Sequence, residues 1–252
     1  MASRTGRRQV LRLAAAGALL PASVWGAVEF TPEDLRTDLL RTGLFMVTGG
    51  GANTLVRLTL RGLVVVDAKR EESFKPLMGQ IRRVNRLADL PVRLLVLTSG
   101  EDSHSGAAAR FVSSGVTLMA ASVVAGRFTA ATAEPASAAA TGHKPPGAVI
   151  GFDGLREIEL HGARLALMQV GPARGAGDAV VHFPDLRVTA VGPLYAEGEP
   201  RSLLRDGGSL AGWAKALDEV LKLDLGLVVP AQGPPIGRAE LVALRARLPP
   251  VA

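Results

Sequence analysis

The chain has 252 residues, 48% apolar and 21% charged, which suits an ordinary globular α/β protein long enough to bury a sizeable core. It contains no cysteine, so disulfides, thiolate metal sites and cysteine nucleophiles are excluded; any metal would rest on Asp, Glu and the four histidines, His104, His143, His161 and His182. The formal net charge of +6 includes Arg4, Arg7, Arg8 and Arg12; without those four of the 29 basic residues, 25 stand against 23 acids, and +2 makes no case for nucleic acid as a partner.

The N-terminus carries Arg7-Arg8-Gln9-Val10-Leu11-Arg12, then an apolar run from Leu13 to Leu20, then Pro21 and small residues. These are the charged, apolar and small-residue regions of an export signal, and the paired arginines resemble the twin-arginine (Tat) type. The apolar run is too short for a membrane span, which needs roughly 20 residues. The expectation is a signal peptide over 1–27 and a single domain over 28–252, periplasmic or secreted. A basic amphipathic helix on a cytosolic protein is the alternative.

Leu44 to Val47 and Thr54 to Leu60 read as paired strands around Gly49-Gly50-Gly51, and Leu63 to Val66 as a buried strand ending at Asp67. Phe74, Leu77, Met78, Ile81, Val84 and Leu87 recur at helical spacing. A strand over Val92 to Leu97 leads into the polar loop Thr98-Ser99-Gly100-Glu101-Asp102-Ser103-His104-Ser105-Gly106, followed by a helix from about Ser105 to Ser113 and a strand over Val116 to Ala120. Residues 129 to 147, rich in Ala, Thr, Ser, Pro and Gly, read as an insertion: either a flap or a surface loop. Strands over Arg156 to Leu160, Arg164 to Val170, Ala179 to Phe183 and Arg187 to Val191 follow as a meander. A helix over Leu210 to Leu223, a strand over Leu227 to Val229 and a helix near Arg238 to Arg247 close the chain. Two β-rich halves closed by helices predict an α/β fold, an αββα sandwich.

Several separated landmarks between residues 42 and 248 resemble the metallo-β-lactamase superfamily. These are Asn53-Thr54, Val64-Val65-Val66-Asp67-Ala68, Leu95-Val96-Leu97-Thr98, Gly171 to Val181, Val191-Gly192-Pro193-Leu194, Trp213 with Leu217, and Val228 to Pro234. In that superfamily the polar loop reads Thr-His-x-His-x-Asp-His, and Thr98 to His104 fits the spacing without a gap. The resemblance implies that Asp67 buttresses this loop. It also implies that Ser99, Glu101 and Arg174 stand at the ligand positions of a first zinc ion, and Ser103, His104, Pro193 and Gln232 at those of a second.

Catalytic zinc needs three protein ligands and an open position where water is acidified. Six of the seven carried-over positions have lost the ligand, and Arg174 places a cation where an imidazole is usual. Glu101 and Arg174 are complementary and are expected to form an ion pair in the empty site. No zinc or other cofactor is therefore expected, although Glu101 and His104, helped by Asp102 or Asp178, would be the ligands of a weak remnant metal site. His104 reads either as a hydrogen-bonded structural residue or as that remnant. Ser99, Ser103 and Ser105 near His104 invite a nucleophile reading, against which stand the missing Gly-x-Ser-x-Gly elbow and the lack of an acid clearly placed behind the histidine. Gly49-Gly50-Gly51 lacks the lysine and spacing of a P-loop.

The expected function is non-catalytic: an exported pseudoenzyme of this hydrolase-like fold whose cleft binds a small molecule or a periplasmic protein. The alternatives are a hydrolase with a remodelled single-metal or metal-free site, and, by analogy with exported relatives of the fold, an accessory factor of a periplasmic quinoprotein or redox system.

Overall fold

The computed structural model describes residues 35–129 and 146–250. The expected export signal, His143 and nearly all of the 129–147 insertion lie outside these residues. Two sheets form the centre. The first runs in the order β1 (Arg36–Arg41), β2 (Leu44–Thr48), β3 (Thr54–Leu58), β4 (Leu63–Val66), β5 (Val92–Val96), β6 (Thr117–Ala121), β7 (Val149–Phe152). Its first four strands pair antiparallel and β4 to β7 pair parallel. The second sheet contains β8 (Leu155–Leu160), β9 (Ala163–Gln169), β10 (Ala179–Phe183), β11 (Val188–Gly192) and β12 (Leu227–Pro230), ordered β12-β11-β10-β9-β8; only β11 and β12 pair parallel.

Strand alternation assigns the buried side chains to three layers. Val64 and Val66 of β4 face inward with Leu94, Val96, Leu165, Leu167, Val181 and Phe183, forming the core between the sheets. Leu63 and Val65 point the other way, against Leu77 and Ile81 of α1 (Phe74–Val84) and Phe111 and Val112 of α3 (Ala108–Ser113). On the far side Val180, Val191 and Val228 meet Trp213 and Leu217 of α5 (Leu210–Val220) and Leu241 and Leu244 of α6 (Arg238–Ala246). This is the expected αββα sandwich. Phe152, Phe183 and Trp213 are core residues, and the Trp213 indole N–H donates to Leu194 O at 2.8 Å.

The structure departs from the sequence reading at several places. The helix α1 stops at Val84, because Asn85 caps it and hydrogen-bonds Leu90 through both side-chain groups; Leu87, counted in the helical stripe, is 97% exposed. The helix expected from Ser105 is two pieces, α2 (Asp102–Ser105) and α3, with Gly106 at the break, where a Cβ would lie 2.6 Å from Asp102 Oδ1. Strands β1 and β7 and the helix α4 (Ser122–Thr129) had no counterpart in the sequence reading. The burial pattern of β1 is mostly exposed, so no hydrophobic alternation announces it.

Candidate functional site

The ends of β4, β5, β11 and β12, with the loops that leave them, meet at one edge of the sandwich. At that edge Asp67 follows β4 with φ +64°, a left-handed conformation uncommon for any residue but glycine. The strained turn aims its carboxylate across to β5. Oδ1 accepts from Thr98 N at 2.8 Å, and Oδ2 accepts from Thr98 Oγ1 at 2.7 Å. His104 Nδ1 lies 3.0 Å from Asp67 Oδ2 and 3.1 Å from Thr98 Oγ1. Because a carboxylate only accepts, Nδ1 is the donor of this contact. Asp67 thus fixes both the loop and the imidazole, the buttressing that the resemblance implied. The acid that the sequence reading did not find behind His104 is present, and it is Asp67.

Close packing ties the second sheet to this loop. Thr98 O accepts from Ala179 N at 2.8 Å, at the start of β10. Gly192, at the end of β11, has φ +50°, and a Cβ there would sit 2.2 Å from Thr98 Oγ1, so only glycine fits. Ala231 N donates to Gly192 O at 2.8 Å, Asn53 N donates to Ala231 O at 2.7 Å, and the Asn53 amide donates to Pro230 O and Gly233 O.

Lys69, which sequence reasoning passed over, is wholly buried two residues after Asp67. Its Nζ donates to Val47 O, Gly49 O and Ala52 O at 2.9, 2.7 and 2.8 Å, so the Gly49-Gly50-Gly51 turn wraps an ammonium of the chain itself. Burial pulls this lysine down to about 7, opposed by the nearby Asp67 charge. Three acceptors at these distances use all three N–H donors of the protonated amine. Its sequence signal was a lysine three residues past an apolar strand, after Asp67 and Ala68.

Arg174 lies between the loops that meet at this edge. Its Nη2 lies 3.1 Å from Glu101 Oε1, and its Nη1 donates to Pro193 O at 3.0 Å. One guanidinium therefore joins three of the carried-over positions, and it links loops that belong to different sheets. The side chains of Arg174 and Glu101 are 8% and 30% exposed. Burial lowers the Arg174 pKa and Arg205 adds to this, while Glu101 opposes it. The group remains a cation, as guanidinium does throughout the usual pH range. Arg205 Nε lies 3.8 Å from Glu101 Oε2 on the open side.

Asp178 stands nearby, its Oδ2 accepting from Gly175 N at 2.6 Å. Burial pushes this carboxyl up to about 6, against the pull of the Gly175 N–H and the Arg174 charge.

The remaining candidates contribute less. Ser99 Oγ accepts from Glu101 N at 3.2 Å, and Ser105 Oγ donates to Gly100 O and Glu101 O, so both bond within the loop. Ser103 contributes its carbonyl, which accepts from Ala52 N at 2.8 Å. Asp102 is exposed on α2, and Gln232 is exposed, with its neighbours, rather than its side chain, in the hydrogen-bonded frame. Outside the cleft, His182 pairs with Thr189 Oγ1 at 2.8 Å, and His161 occupies a turn with φ +49°.

Three solved structures cover most of this chain. A metallo-β-lactamase from Pontibacter korlensis superposes with a TM-score of 0.68 at 19% identity, over 84% of this chain and 98% of its own. One from Hirschia baltica gives 0.67 at 20%, over 84% and 97%, and FIM-1 from Pseudomonas aeruginosa, in a mono-zinc form, gives 0.65 at 20%, over 88% and 99%. The fold is that of the metallo-β-lactamases. The same metallo-β-lactamase fold is matched within the sec-alkylsulfatase Pisa1 from Pseudomonas sp. at a TM-score of 0.64 and 15% identity; the 84% of this chain that aligns spans 41% of the sulfatase. No family model and no curated protein matches the sequence.

The fold implies zinc, and the side chains here do not fit it. Arg174 and Glu101 already satisfy each other, Pro193 offers only its carbonyl, and that carbonyl is taken by Arg174. Among the described residues no group of three His, Cys, Asp or Glu side chains is placed to hold a metal ion. Among them, too, no helix is long and apolar enough to cross a membrane.

Proposed function

We propose that this is an exported binding protein built on the metallo-β-lactamase fold, a pseudoenzyme whose cleft is held by an internal ion pair in place of zinc. One observation carries the reading: Arg174 bridges Glu101 and the Pro193 carbonyl, joining by hydrogen bonds the loops that a metal would join by coordination. A buried guanidinium repels a divalent cation and cannot ligate one. The cleft frame is otherwise intact, with Thr98, Asp67, Gly192 and Asn53 locked together, which is what a preorganised binding site for a small molecule or a periplasmic protein requires.

A second reading, a hydrolase that works without the dizinc site, is favoured by the Asp67–His104 pair, an imidazole held by a buried carboxylate as a general base is. Against it, neither Ser99 nor Ser105 hydrogen-bonds the imidazole. Ester, lactam, lactone and thioester substrates, assayed with and without added zinc, separate the two. The binding reading expects no turnover above background in either condition. Turnover that His104→Ala abolishes would establish the hydrolase instead.

A further inference from the structure

Three guanidinium groups gather at the cleft mouth, and an exposed valine stands beside them. Three arginines converge on the Gly100–Glu101 turn from three segments. Arg127 of α4 donates through Nη1 to Gly100 O at 2.8 Å, Arg174 pairs with Glu101 Oε1, and Arg205 approaches Glu101 Oε2. The loop positions are firm, since Arg205 N donates to Arg174 O at 2.8 Å and the Arg205 Cβ lies 3.6 Å from where a Cβ on Gly175 would stand.

Against these three cations stand Glu101, which two of them approach, and Asp178, whose carboxylate is held by Gly175 N. Asp102 and Asp206 are exposed and accept a hydrogen bond from none of the three arginines. Arg127 makes its protein hydrogen bond through Nη1, and Arg205 spends Nη1 on Leu203 O and Leu204 O. Both side chains are exposed, which leaves the Arg127 Nη2 and Nε and the Arg205 Nη2 for an incoming acceptor. The buried Arg174 Nε likewise has no partner, a donor left over from a guanidinium that already serves two acceptors.

The adjoining wall is apolar. Val123, on the first turn of α4, is 57% exposed, and its Cγ1 lies 3.1 Å from where a Cβ on Gly177 would stand, beside the Asp178 loop. Val124 packs beneath it, 3.2 Å from the Cβ position of Gly100.

We propose that this mouth binds a small organic acid, its carboxylate held between Arg127 and Arg205 and its apolar tail laid on Val123. The proposal rests on the binding reading of the cleft and gives the ligand its chemistry. Planar guanidinium forks match a carboxylate, and two of them at one turn supply charge-assisted hydrogen bonds.

Isothermal titration of the full chain with sodium octanoate, sodium acetate and inorganic phosphate tests it, alongside R127Q, R205Q and V123S. All three positions are exposed, so each variant is expected to keep the wild-type melting temperature. Octanoate should bind the wild type, with acetate and phosphate weaker by about tenfold or more. R127Q and R205Q should each weaken octanoate about tenfold, R127K less so, while V123S weakens octanoate and leaves acetate unchanged. Absence of octanoate binding, equal binding of octanoate and acetate, preferred binding of phosphate, or octanoate binding indifferent to both arginine variants would each overturn the proposal. Zinc titration separates this failure from that of the underlying reading: a protein that takes neither zinc nor octanoate loses only the ligand assignment, whereas one that takes stoichiometric zinc loses the binding reading itself.

Discussion

Replacing Arg174 and Glu101 singly and together measures whether their pair holds the cleft. Glu101→Gln leaves a guanidinium that is 92% buried facing a neutral amide, and it is expected to cost about 3 kcal/mol, the low end for breaking a buried pair because Glu101 is partly open to water. Arg174→Met fills the same volume with an apolar chain, frees Glu101 to hydrate, and leaves the Pro193 carbonyl without its donor; this predicts about 1–2 kcal/mol. The double variant no longer has a buried charge to leave unpaired, so it should cost about 2 kcal/mol rather than the sum of the two. Urea denaturation of the four proteins then gives a coupling of roughly 2–3 kcal/mol. Additivity within about 0.5 kcal/mol would show that the two residues are merely neighbours, and the account of the cleft would fall.

Asp178 makes stability depend on pH in acid. Its folded pKa is raised from 3.8 to about 6, so its contribution is fully present below pH 3.8 and is lost as pH rises through about 6. The loss is on the order of 3 kcal/mol, and Asp178→Asn, which keeps an acceptor for Gly175 N, should flatten that part of the stability profile between pH 4 and 7. Lys69→Met keeps the apolar stem and removes the ammonium from three buried carbonyls, which predicts a loss of about 3 kcal/mol or more in thermal denaturation. A Lys69→Met protein as stable as wild type would mean that the Gly49-Gly50-Gly51 turn does not depend on its cation.

The sandwich was readable because its central strands are short unbroken apolar runs: Leu63 to Val66 sends successive residues to two buried layers, so every position is apolar. The edge strand β1 carried no such mark, since only its backbone edge pairs with β2 and most of its side chains meet water. The Glu101–Arg174 pair followed from complementary charges at positions carried over from the resemblance, and the structure places them within hydrogen-bonding distance. Asp67 was recognised as a buttress, but its bond to His104 depends on a left-handed turn that no residue pattern announces. Lys69 and Arg205 were missed for a similar reason. A lone lysine or arginine looks like a solvated surface residue until backbone carbonyls or a carboxylate from distant loops are seen around it.

Zinc stoichiometry bears most directly on the central claim. The protein, purified without chelator and then titrated with zinc, should retain well below one equivalent by elemental analysis and show no rise in melting temperature on addition of the ion. One or more equivalents of tightly held zinc, accompanied by a thermal shift that Arg174 and Glu101 variants alter, would contradict the claim that an internal ion pair has taken the metal's place.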